Sequence, residues 1–134
     1  MKFYKNILIL FALATLAFSS CQEEEEPHHE NSATVTVESP LDDAEFGYGE
    51  TVHIHGVAKG EMTLHGYSVK IETESGEELF HADKHDHNVE LTIEEEWVNN
   101  VSETGFVFIA IDVALDHEGT IQSKVIKVLC HAAS

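Results

Sequence analysis

Phe106-Val107-Phe108-Ile109-Ala110-Ile111-Asp112-Val113-Ala114-Leu115 is the stretch on which the fold turns. Val107, Ile109, Ile111, Val113 and Leu115 share one parity. Side chains of a strand alternate between its two faces, so this run predicts a strand with one continuous apolar face. The same period of two recurs on both sides of it. Val35 and Val37 alternate with polar residues over 33–38, and Val52 and Ile54 alternate with Thr51, His53 and His55 over 50–58. Tyr67, Val69 and Ile71 do so over 64–73, and Val89, Leu91 and Ile93 over 88–94. A short strand is expected over 78–82, and a strand over 120–130 ends the fold. Ser39-Pro40-Leu41-Asp42-Asp43, Glu74-Ser75-Gly76-Glu77 and Asp116-His117-Glu118-Gly119 carry turn residues between these runs. No part of this region has a helical period; at most, 94–100 makes one turn around Trp97, which closes an edge of the core.

Seven strands in about 100 residues make one all-β domain, an antiparallel sandwich of the immunoglobulin or fibronectin type III-like kind. The architecture is expected on this pattern; the strand order is not fixed by it. The chain has two cysteines, Cys21 and Cys130. If Cys21 is used elsewhere, no internal disulfide staples the domain and its apolar core must hold it alone.

The N-terminal segment reads differently. Lys2 and Lys5 precede an apolar run from Ile7 to Phe18, then Ser19 and Ser20, then Cys21. Basic, apolar and small residues in that order are a secretory leader, and the run is shorter than the roughly 20 residues of a membrane span. Phe18-Ser19-Ser20-Cys21 resembles the lipobox of bacterial lipoproteins, although Leu is commoner where Phe18 stands. The resemblance implies a signal peptide over 1–20, cleavage before Cys21 and lipidation of Cys21. Residues 21–32 hold an acidic run, Glu23 to Glu26, and read as a solvated tether ahead of a domain over 33–134. An acidic run directly after the lipidated cysteine resembles the surface-export signal of Bacteroidota lipoproteins. That implies a lipid-anchored protein of the cell envelope, at the outer membrane and facing outward.

Charge narrows the partners. Seven lysines face 25 acidic residues, there is no arginine, and the formal net charge is −18. Nucleic acid is excluded as a natural partner because phosphate binding needs a cationic face. A metal cation is favoured by the field. No serine-protease elbow, Walker loop, His-Glu-x-x-His or Cys-x-x-Cys occurs, so the sequence gives no ground for an enzyme.

The chain has ten histidines, and their placement carries more than their number. With strand directions alternating, His53, His55, His65, His81, His85, His87 and His117 fall toward one pole. His28 and His29 enter from that side. His53-Ile54-His55 sends two imidazoles to one face, and His85-Asp86-His87 precedes the strand expected to pair with 50–58. Four imidazoles on neighbouring segments make a Zn²⁺ or Cu²⁺ site. The expected ligands are His53, His55, His85 and His87, with His65 and His117 near enough to contribute. Asp83, Asp86 and Asp116 are further ligands or orient an imidazole through its second nitrogen. Asp42, Asp43 and Glu45 form an acidic group at the other pole that suits calcium, and Cys130-His131 there reads as a second ligand pair.

Leu64-His65-Gly66-Tyr67, His85-Asp86-His87, Trp97-Val98-Asn99-Asn100 and Cys130-His131 resemble a poorly characterised group of Bacteroidota lipoproteins with an immunoglobulin-like domain and scattered histidines. That resemblance implies no defined activity. Two functions stay open on the sequence. One is a metal-binding lipoprotein that collects or buffers Zn²⁺ or Cu²⁺ for an envelope transporter or receptor. The other is a non-enzymatic protein- or glycan-interaction module whose histidines are ordinary solvated side chains.

Overall fold

The computed structural model describes residues 29–134. The expected signal segment, Cys21, His28 and the acidic run lie outside the described residues.

Eight strands form: β1 (Ala33–Ser39), β2 (Glu45–Phe46), β3 (Thr51–Leu64), β4 (Tyr67–Thr73), β5 (Glu78–Lys84), β6 (Asn88–Val98), β7 (Gly105–Ala114) and β8 (Ile121–Cys130). They make two sheets, one of order β1-β3-β6 and one of order β2-β8-β7-β4-β5. The all-β sandwich expected from the alternation is what the chain adopts. It has eight strands where seven were expected, because Glu45–Phe46 adds a two-residue strand parallel to β8. Such a strand is too short to leave a period in the sequence. The turn proposed around Trp97 is absent: β6 continues through Val98, and Trp97 points inward, 5% exposed.

The apolar parity of each strand becomes the space between the sheets. Val52, Ile54, Leu91, Ile93 and Trp97 from the three-stranded sheet meet Val69, Ile71, Val107, Ile109, Ile111 and Val113 from the larger one. Tyr67 joins the two layers through its hydroxyl, which donates to Glu95 Oε1 at 3.1 Å and accepts from the Glu94 amide at 3.4 Å.

The two poles are built differently. At one, Asn99 is fully buried. Its side-chain amide donates to the carbonyls of Phe46, Gly47 and His131 at 3.2, 3.0 and 3.0 Å, and its oxygen accepts from the Val101 amide at 3.2 Å. One side chain thereby ties β2, the 98–101 segment and the C-terminal end together. The opposite pole holds three connections that leave or re-enter the sandwich: β3 to β4, β5 to β6, and β7 to β8. The chain reaches this pole through Asn31, whose amide donates to the carbonyls of Thr63 and Leu115 at 3.1 and 2.9 Å and whose oxygen accepts from the Met62 amide at 2.9 Å.

Candidate metal centre

Each of the three connections at this pole carries histidine. His65 and Gly66 are the whole link between β3 and β4, which belong to different sheets. Gly66 has φ +123°, and a Cβ there would stand 2.2 Å from the Lys84 carbonyl oxygen. Only glycine permits so sharp a crossing against so near a backbone. The His65 amide donates to the Ala114 carbonyl and the Ala114 amide donates to the Gly66 carbonyl, both at 2.9 Å. Those two bonds fix the link to the end of β7, and two residues after Leu115 stands His117.

The His117 loop is held from within. Asp116 Oδ1 accepts from the amides of Glu118 and Thr120 at 2.7 and 3.0 Å, and the Leu115 amide donates to the Thr120 carbonyl at 2.9 Å. The Thr120 hydrogen bonds hold the Asp116 carboxyl below its ordinary pKa. Asp116 therefore shapes the loop through its backbone and does not orient an imidazole. Lys84 ends β5, and His85-Asp86-His87 crosses to β6 in the other sheet beside Gly66.

The outcome is a nest of four imidazoles. The ring centroids of His65 and His117 are 3.9 Å apart, those of His65 and His87 4.8 Å, and those of His85 and His87 4.5 Å. One ligand nitrogen from each of His65, His87 and His117 lies within 4.8 Å of the other two. His85 Nε2 stands 2.8 Å from His87 Nε2, so one of that pair carries the proton the other accepts. Zinc bonds of 2.0–2.1 Å in a tetrahedron put ligand nitrogens about 3.4 Å apart. Modest rotations of exposed His87 and His117 are enough to reach that spacing.

His65 is the partly buried member. Its Nδ1 is shut off from solvent and has no hydrogen-bond partner among the described residues. Burial, then the neighbouring His117 and His87, push its pKa below the ordinary histidine value. At His65, desolvation and the other imidazoles outweigh the opposing effect of Asp116. A cleft of about 610 Å³ adjoins His65 and is lined by His29, Glu30, Asn31, Asp116 and Glu118 among others.

His53 and His55 do not join this nest. The pairing of their strand with β6 is as expected, but the register is not: His53 faces Glu96 and His55 faces Glu94, while Asn88 faces Leu64. β3 runs to Leu64, six residues beyond the expected end at Ala58, so the two histidines lie near its start. About 25 Å of strand separates them from His87. Each has a carboxylate instead, His53 with Glu96 at 2.9 Å and His55 with Glu38 at 2.8 Å. His81 sits mid-strand on β5 beside Asp83 at 3.3 Å. Of the six expected ligands, the structure gathers His65, His85, His87 and His117.

The groups weighed at the other pole are occupied. Asp42 accepts from the Lys127 amide at 2.8 Å and Asp43 pairs with the Lys127 ammonium at 3.0 Å. Glu45 lies 3.4 Å from His131. Cys130 is fully buried, and burial pushes its thiol up to about 11, so it points away from His131 and is not set up as a thiolate ligand.

No protein-family model and no curated protein matches the sequence. Solved structures do. A fibronectin(III)-like module of Clostridium thermocellum CbhA is similar over 75% of this chain and 99% of its own, with a TM-score of 0.51 at 15% identity. The solution structure of a CARDB domain from Pyrococcus furiosus is similar over 77% of this chain and 97% of its own, with a TM-score of 0.50 at 13% identity. These likenesses are of fold. The domain is an immunoglobulin/fibronectin type III-like β-sandwich module.

Proposed function

We propose that this module binds a transition-metal ion, Zn²⁺ or Cu²⁺, through His65, His87 and His117, with His85 as a fourth donor. The observation that carries the reading is the meeting of imidazoles from three separate connections, with ligand nitrogens of three of them within 4.8 Å of one another. Solvated histidines have no reason to pack their rings together from the ends of three separate connections. The donor set is all nitrogen, which suits Zn²⁺ and Cu²⁺. The acidic surroundings favour a cation at the site. In this reading the chain is a lipid-anchored envelope protein, attached through Cys21 at the outer membrane. It buffers or collects the metal, without catalysing a reaction, for a transporter or receptor there.

Titration calorimetry on the untagged, detergent-solubilised full chain at neutral pH tests this. Wild type is expected to bind one ion strongly at the pole, and His65→Ala with His117→Ala is expected to weaken that binding at least 100-fold, roughly 2.7 kcal/mol. Binding at the pole also raises stability by about 2.7 kcal/mol when free metal is 100 times the dissociation constant. Unchanged affinity in the double variant sinks the reading. The likeness to fibronectin(III)-like modules favours the second reading, an interaction module without metal, and that outcome would leave it standing. Its glycan form has two exposed large aromatics to work with among the described residues, Tyr48 and Phe106, and the Lys127 ammonium lies over the Phe106 ring, 4.7 Å from its centre.

A further inference from the structure

The outer face of the three-stranded sheet carries a second histidine group that the polar nest does not use. Ile54 is buried, which turns both of its neighbours, His53 and His55, to the outer face of β3. β3 is the central strand of its sheet, so carboxylates flank the pair from both sides. Glu96 on β6 takes Nδ1 of His53, and Glu38 on β1 takes Nδ1 of His55. Glu38 reaches His55 because β1 is irregular there: Val37 faces Gly56 and Ser39 faces His55, which leaves Glu38 as the extra residue of a bulge. Glu94, opposite His55, adds a third carboxylate to the face. The lysine on this strand, Lys59, is already paired with Glu90 at 3.0 Å.

A carboxylate on one imidazole nitrogen is the arrangement that orients a metal-binding histidine, because it fixes the tautomer and leaves the other nitrogen basic. Here both rings are held that way, and neither Nε2 has a partner among the described residues. Residues two apart on a strand stand about 6.5–7 Å apart, close enough for two imidazoles to meet on one ion. We infer that His53 and His55 form a second, solvent-facing site for a divalent transition ion. Its Nε2 atoms are the two protein donors, water completes the coordination, and Glu38 and Glu96 are positioning residues. The site is separate from the polar nest, lies about 25 Å from it, and does not rest on it. With two donors against four it is the weaker of the two.

Cu²⁺ added to the untagged full chain in detergent tests the inference, with His28→Ala and His29→Ala present throughout to remove a competing pair. Two copper ions per chain are expected, with a spin–spin distance of about 25 Å by double electron–electron resonance. His53→Ala with His55→Ala should remove one ion and abolish that distance. His65→Ala with His117→Ala should leave one ion with a two-nitrogen spectrum. Glu96→Gln and Glu38→Gln should weaken the second ion by about tenfold while His53 and His55 remain. His53, Glu38 and Glu96 are exposed and His55 is half-exposed on the outer sheet face, and β-type circular dichroism of each variant checks the fold before copper is added. Copper count and spectrum unchanged in His53→Ala with His55→Ala overturns the second site, whereas loss confined to that variant, with none in His65→Ala with His117→Ala, overturns the polar nest instead.

Discussion

The two poles of this sandwich solve the same problem in opposite ways. Both must close the ends of two sheets where backbone and side-chain polar groups come together. At the Asn99 pole one buried amide satisfies three carbonyls and one amide proton, and Asp42, Asp43 and Glu45 each have a partner. At the histidine pole the backbone is equally well tied, through Asn31, the His65–Ala114 pair and the Asp116 loop. Its imidazoles meet only each other, His85 and His87 through a 2.8 Å hydrogen bond, and His65 Nδ1 is buried without a partner among the described residues. Buried polar groups in folded proteins are almost always satisfied; among the described residues the exceptions are His65 Nδ1 at this pole and the indole Nε1 of Trp97, two residues from Asn99. The carbonyls and carboxylates of one pole are met by its own side chains; in the function proposed above, a metal ion completes the imidazoles of the other.

The strongest break of this comparison is at the finished pole. Asn99→Ala removes four hydrogen bonds and leaves buried carbonyls without donors. It should cost about 3 kcal/mol of stability in denaturant titration, with metal affinity at the other pole unchanged. A loss of metal binding in the folded variant would show that the poles are coupled and the contrast is false.

Gly66→Ala acts on the histidine pole through the backbone. A Cβ at φ +123° and 2.2 Å from the Lys84 oxygen forces the link away from β5. The expected result is about 2 kcal/mol of destabilisation together with a roughly tenfold weaker metal site, because His65 and His85 are displaced from each other. Equal affinity in Gly66→Ala would mean the nest does not depend on this crossing.

The smallest effect is the dependence of metal-free stability on pH. His65 has a lowered pKa in the folded state, chiefly from burial. Between that value and the ordinary one near 6.5, the unfolded chain binds the proton more readily than the folded chain does. Stability contributed by neutral His65 is therefore fully present above about 6.5 and declines as pH falls through that region. Denaturation midpoints measured from pH 8 to 5 should show the decline, and His65→Ala should flatten it. A slope that is the same in both proteins would assign it to other groups.

The sequence alone determined the class of fold. Alternation in 106–115 and in the runs around it sets which side chains are dry, and two dry faces of antiparallel strands have to pack on each other. It also determined that His65, His85, His87 and His117 belong to one end, since alternating strand directions bring the ends of β3, β5 and β7 to one side. What only the tertiary structure decided is which histidines touch. A period of two says which face a residue occupies but not how far along its neighbour it lies, so His53 and His55 were placed with His85 and His87 when the register sets them about 25 Å away. The strand ends that govern that register are marked by no residue type: β3 runs past Ala58 through Lys59-Gly60-Glu61-Met62 before Leu64 is buried. His65 and His117, secondary in the sequence reading, became central because a two-residue link between sheets and two backbone hydrogen bonds to Ala114 bring them face to face. Contacts of that kind join residues some 50 positions apart, and no local pattern in the chain encodes them.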